Sequence, residues 1–192
     1  MKLSEIVDMT AGLNTTRLTL EQKENMYSVM DLQNDLEQAD GVITLKPDGS
    51  EPDYILKTGD FVISLIRGQA AIVSSRNTGR YINANFIKCK FDHSQLDPWY
   101  LCYLLNDSSE VSQQRTMLQQ NSFSGLYRIT AALIGQLDLN LPDIDRQKQA
   151  GRIYKSMLRT KYLMDQQSEQ IRQITLQFIR RMDPEGEKDN GK

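Results

Sequence analysis

The sequence predicts an α+β protein: a strand-rich globular domain over residues 1–142, one long amphipathic coiled-coil-type helix over 143–182, and a charged, disordered tail over 183–192. Three observations predict it. Short β-branched and aromatic runs separated by glycine recur between residues 58 and 91. After Leu96 the apolar period lengthens from two toward that of a helix. From Asp143 to Met182 there is no proline and one glycine, Gly151.

Taken in order, LSEIVDMTA (3–11) is a short apolar segment ended by Gly12, and a polar stretch with Arg17 follows. YSVMDLQND (27–35) alternates and predicts a strand. DGVITLKPDGSE (40–51) predicts a strand and a Pro-Asp-Gly turn. TGDFVISLI (58–66) is the clearest strand, QAAIVSS (69–75) the next, and YINANFIKCKF (81–91) the third, with SRNTGR (75–80) as a polar loop. LDPWYLCYLLND (96–107) predicts a helix. Asp97 suits the N-cap, where a carboxylate accepts backbone N–H bonds. Pro98 suits the first helical position, where its missing N–H costs nothing. Residues 124–142 mix strand and turn signals and end at Pro142.

The last helix carries the longest pattern. Ala150, Ile153, Met157, Thr160, Met164, Gln167, Ile171, Ile174 and Phe178 alternate three and four residues apart, a heptad stripe interrupted by two polar side chains. A helix of about 40 residues is roughly 60 Å long, more than one domain of this size needs to cover its core. Such a helix projects and pairs with another. Thr160 and Gln167 then set its register.

Composition excludes several function classes. The chain of 192 residues is 39% hydrophobic and 25% charged, ordinary globular usage, with a net charge of −2. Charge is uneven. Acids dominate from Glu21 to Asp60, whereas the charged residues from Phe61 to Phe91 are Arg67, Arg76, Arg80, Lys88 and Lys90. The basic block is either a solvated face or a phosphate-binding surface. Cys89 and Cys102 have no CxxC partner and read as small core residues, and His93, the single histidine, reads as a surface loop residue. A zinc site, any other metal site and a disulfide framework are not expected; a reducing cytoplasmic location is. No signal peptide opens the chain, and no run reaches the roughly 20 apolar residues that span a membrane.

Asp97-Pro98-Trp99-Tyr100 lies one substitution from the D-P-P-Y motif with which amino-methyltransferases hold a DNA base. Methyl transfer also needs a glycine-rich turn that brings backbone close to S-adenosylmethionine. No two glycines here stand two residues apart, so no G-x-G exists. No P-loop or nucleophile elbow occurs. Pro52-Asp53 is not followed by the Asp/Glu-x-Lys of a nuclease. No catalytic residue is assigned.

Five segments together resemble one family. KLSEIVDMTAG with Arg17, TGDFVISLIRGQAAIVS, YINANFIKCKF, LDPWYLCYLLN and LYRITAALIGQLDLNLPDIDRQKQAGRI resemble, in order, segments of the specificity (S) subunit of type I restriction–modification enzymes. Family members usually carry two target recognition domains and two long helices, so this chain resembles a half-length form. The segment from Leu141 to Gln147 departs from the family's Pro-Leu-Pro-Pro-Leu-x-Glu-Gln.

The resemblance implies a non-catalytic subunit that reads half of a split site in double-stranded DNA. It would hold modification (M) methyltransferase subunits, joined in some complexes by restriction (R) subunits. S-adenosylmethionine would sit on the M subunit, leaving this chain without a cofactor. A homodimer through the long helix would restore the missing half. An alternative is a truncated or decoy half-subunit that occupies M or S subunits without productive DNA reading.

Arginine reads guanine, Asn and Gln read adenine, and Lys, Ser and Thr hold phosphates. The DNA-binding candidates are therefore Arg67 and Gln69; Arg76, Asn77, Thr78 and Arg80; Asn121, Ser122 and Ser124; and Thr15, Thr16 and Arg17. By residue type and position each is equally a solvated loop residue. Asn83 and Asn85 belong to a family motif and are expected to fix turn geometry. The stripe from Ala150 to Phe178 is the candidate dimer or M-subunit interface.

Overall fold

A computed structural model of the chain describes residues 1–14, 16, 19–41, 54–120 and 129–182. The strand and turn expected over 40–51 lie, but for their first two residues, outside the described residues, as does the tail over 183–192.

The strands are β1 (Asp8–Ala11), β2 (Phe61–Ser64), β3 (Ala70–Ile72) and β4 (Phe86–Lys90). They form one antiparallel sheet in the order β1-β4-β2-β3. The helices are α1 (Leu20–Glu24), α2 (Val29–Gln38), α3 (Pro98–Asp107), α4 (Ser109–Gln120), α5 (Ala131–Gly135) and α6 (Ile144–Met182).

Strand alternation sorts side chains into two cores. Phe61, Ile63, Ala70, Ile72, Ile87 and Cys89 point to one face and pack with α3, α5 and the start of α6. Val62, Ala71, Val73 and Phe86 point to the other and pack with Tyr27, Leu32, Leu36, Leu56 and Ile82. Both faces are covered, so β2 is apolar at three consecutive positions rather than at alternate ones. Cys89 and Cys102 are buried core residues.

Residues 27–35, predicted as a strand, begin a helix instead. Ser28 caps α2: its Oγ accepts the Asp31 N–H at 3.1 Å, and Asp31 Oδ2 accepts the Ser28 N–H at 2.9 Å. This reciprocal box outweighs a short alternation, because Leu32, Asp35 and Leu36 then share one buried side. Ala131–Gly135, inside the ambiguous stretch, is helical and capped by Thr130. Helix α4, which has one buried residue, Val111, and strand β1 have no clear pattern in the sequence. His93 is half-buried, its ring centroid 5.1 Å from that of Phe91.

Candidate nucleic-acid interface and the helix that carries it

The loop 75–80 does not stand free in solvent. It lies along α2, the helix that strand-like alternation had concealed. Arg76 pairs with Asp40 at 2.9 Å and Arg80 with Asp31 at 3.1 Å. Asn77 is buried, 5% exposed, and its Nδ2 donates to Asp35 Oδ1 at 2.9 Å. Thr78 is exposed and shares a 2.7 Å hydrogen bond with Thr58. Lys88, also buried, pairs with Asp60 at 2.6 Å. The basic block of the sequence thus folds onto the acidic block, and the cations of the loop are neutralised where they stand.

Arg67 and Gln69 are placed together elsewhere. Arg67 is exposed at the β2–β3 turn and donates to Gln33 Oε1 at 3.1 Å. Gln69 is half-buried, and its Oε1 has no partner among the described residues. It lines a cleft of about 160 Å³ with Gln33, Asn106 and Tyr154. Asn106 is spent on the backbone, bonding both the N–H and the carbonyl of Ala70. Thr16 is exposed and bonds Asn14. Thr15, Arg17, Asn121, Ser122 and Ser124 lie outside the described residues. Asn83 holds a turn, its Oδ1 accepting the Asn85 N–H at 2.8 Å.

The corner between domain and helix is built from polar side chains. Asp97 caps α3, its Oδ1 accepting the Tyr100 N–H at 2.9 Å, and Pro98 is the first helical residue. Gln147, buried in the first turn of α6, joins three segments. Its Oε1 accepts the Asp97 N–H at 3.1 Å, and its Nε2 donates to the carbonyls of Gln95 and Pro142. One turn on, Gly151 presses against the start of α3. A Cβ there would lie 2.9 Å from Tyr100 N and 3.1 Å from Trp99 Cβ, and would strike the Asp97 carboxylate. Next, Tyr154 is buried and donates to Asp107.

Beyond Tyr162 every described residue of α6 is exposed. The stripe from Ile153 to Phe178 faces away from the domain. Only Ala150 among its members is half-buried; Ile153 is 65% exposed, Met164 65% and Phe178 59%. The domain-facing series is a different one, formed by Gln147, Gly151, Tyr154 and Leu158. At about 100° per residue the two series point roughly 140° apart.

Residues 1–173 match the family model of the type I restriction modification DNA specificity domain. The chain belongs to that family. Among solved structures, its fold is similar to that of the HsdS subunit from Thermoanaerobacter tengcongensis, with a TM-score of 0.54 and 14% identity over 94% of this chain and 47% of that one. It is also similar to a chain from a study of complex assembly and conformational transition of the type I R-M system. There the TM-score is 0.56 and the identity 15%, over 100% of this chain and 50% of that one. The chain spans about half the length of the solved structures it matches. A search of curated proteins finds no match.

Within this specificity domain, sequence reasoning overlooked two groups of residues. Gln147 and Tyr154 hold the corner; a buried glutamine leaves no periodic signal. Lys148, Arg152 and Lys155, on α6, form no ion pair with any described residue. Their spacing of four and three is written in the sequence beside the stronger apolar stripe. Among the described residues no cluster of metal-ligating side chains occurs, and no helix is long and apolar enough to cross a membrane.

Proposed function

We propose that this chain reads one half of a split site in double-stranded DNA, pairs with a second copy through the exposed stripe of α6, and brings modification (M) methyltransferase subunits to the duplex. S-adenosylmethionine and the chemistry belong to the M subunit. Membership of the DNA specificity family supports the reading role. The observation that carries the assembly is the stripe itself, apolar in large part and exposed along a helix that has left its domain. Exposed apolar surface of this extent marks an interaction site.

The stripe suits an antiparallel pair. From Ile153 to Phe178 its intervals run four, three, four, three, four, three, four, the same from either end. A two-fold axis between Met164 and Gln167 sets Ile153 against Phe178, Met157 against Ile174 and Thr160 against Ile171. The two domains then lie at opposite ends of the pair, and the reader becomes symmetric.

Pairing of Arg76 and Arg80 with acids favours a second reading, in which the chain occupies M or S subunits without productive DNA reading. Methylation of random-sequence DNA by the chain with its cognate M subunit, read by sequencing, separates the two. A symmetric split site is expected. An asymmetric site means pairing with a different S chain, and no methylation with M bound means the decoy. Methylation by the chain alone would overturn both readings.

A further inference from the structure

Helix α6 has a third face, beside the side that packs on the domain and outside the apolar stripe; Lys155 and Arg159 on it touch the domain's edge. Lys148, Arg152, Lys155 and Arg159 follow at intervals of four, three and four and form one longitudinal row. The row continues as Gln166, Gln170, Gln173 and Gln177. No carboxylate stands in it. At about 100° per residue, Asp165 and Glu169 fall on the continuation of the domain-facing side, and Asp145 falls at the row's edge.

The cations of this row differ from those of the loop 75–80. Lys148 and Arg152 have no carboxylate partner among the described residues. Lys155 Nζ lies 5.1 Å from the centre of the Trp99 ring, a contact that orients the ammonium without neutralising it. Arg159 donates one N–H to the carbonyl of Gln38 at 3.2 Å and keeps its charge. Lys148, Arg152 and Lys155 line one open groove beside Trp99 and Gly41. Arg146 and two carboxylates, Asp97 and Asp145, also line it, so cations outnumber acids there by four to two; Asp97 Oδ1 accepts the Tyr100 N–H.

We propose that this row binds the phosphate backbone of duplex DNA in the spacer between the two half-sites; this rests on the DNA-reading role proposed above. Lys148 to Arg159 rise about 16 Å along the helix, which spans about five phosphates of one strand at 3.4 Å each. Lysine and arginine on a rigid helix supply charge, and the glutamines supply donors without repulsion. Contacts of this kind position a protein and carry no base information. An acidic protein partner fits less well, because the row offers no apolar anchor around which a protein hot spot could form.

The test is the salt dependence of duplex binding by the full chain and by its complex with M. The variant Lys148→Gln/Arg152→Gln removes two exposed cations and keeps good helix formers. Its plot of log K against log salt is expected to flatten by about 1.8, at 0.9 per phosphate contact, equally on every duplex. Lys161→Gln/Arg172→Gln removes the same charge away from the row and should flatten it far less. Methylphosphonate linkages in the spacer should reproduce the flattening with the unaltered protein, a readout that needs no variant to fold. An unchanged slope in a protein that binds DNA overturns this inference and leaves the proposed function standing. Equal flattening in the control double variant also overturns it, as does a shift in preferred sequence or loss of M binding with the slope unchanged. Failure of the unaltered protein to bind any duplex overturns both.

Discussion

The N–H of Asp97 donates to Oε1 of Gln147 at 3.1 Å, so the residue that caps α3 is itself held by the first turn of α6. The cap and the start of the long helix are therefore one structural unit. Replacing Gln147 by Leu leaves the Asp97 N–H and the carbonyls of Gln95 and Pro142 without that partner. The expected cost is about 3 kcal/mol, from buried polar groups left unpaired, measured by urea unfolding. A cost below about 0.5 kcal/mol would show that water satisfies all three groups instead.

Asp97→Ala removes the side-chain cap and keeps the backbone bond to Gln147. It should cost about 1 kcal/mol of stability. Methylation by the assembled complex should persist at temperatures where the variant is folded. A folded, assembled variant with selectively abolished methylation would return Asp97 to a role in chemistry.

At an exposed helical site, glycine to alanine stabilises by about 1 kcal/mol. Gly151→Ala should do the reverse, because its Cβ meets the start of α3. A loss of about 2 kcal/mol is expected, and thermal unfolding gives the sign directly.

Burial pushes the Cys89 thiol up to about 12 and holds Cys102 well above the ordinary range. Both should resist alkylation at about pH 8 in the native protein and react in urea. The stability they contribute is intact below the ordinary thiol pKa and is lost as pH rises from there through the folded value. The unfolded chain releases these protons first, so each thiol lowers stability by about 1.4 kcal/mol per pH unit in that window. The buried hydroxyls of Tyr27 and Tyr154 are shifted upward as well, the first by burial and Asp35, the second by burial and its bond to Asp107. They deepen the loss above about pH 10.

An antiparallel register has a specific chemical signature. Thr160→Cys should not cross-link with itself, but should form a disulfide with Ile171→Cys when the two variants are mixed. The native thiols are buried and do not compete. Homotypic cross-linking of Thr160→Cys would mean a parallel pair, and a clean monomer by light scattering at high concentration would remove the pair altogether.

Much of this architecture is legible in residue type and spacing alone. The strands at 61–64, 70–72 and 86–90 declared themselves through β-branched residues between glycines, and α3 through Asp97-Pro98. The long helix was legible because heptad spacing and the lack of proline are local properties. Helix α2 was misread: over nine residues alternation and helical period overlap, and the Ser28–Asp31 box was the better signal. Helix α4 was missed because a helix that buries little has little pattern to show.

The sequence by itself determined which family this chain resembles, where three of the four described strands lie, and that it carries a helix longer than its domain needs. Those properties are written in residue type and spacing, which act over a few neighbours. The tertiary structure alone decided which charges remain open. Arg76, Arg80 and Lys88 look like a basic segment in one dimension, yet each meets an acid from 20 or more residues earlier. Lys148, Arg152 and Lys155 form no ion pair with any described residue, although Asp97 and Asp145 line the same groove. Coulomb interactions depend on distance through space, and only the folded chain sets that distance.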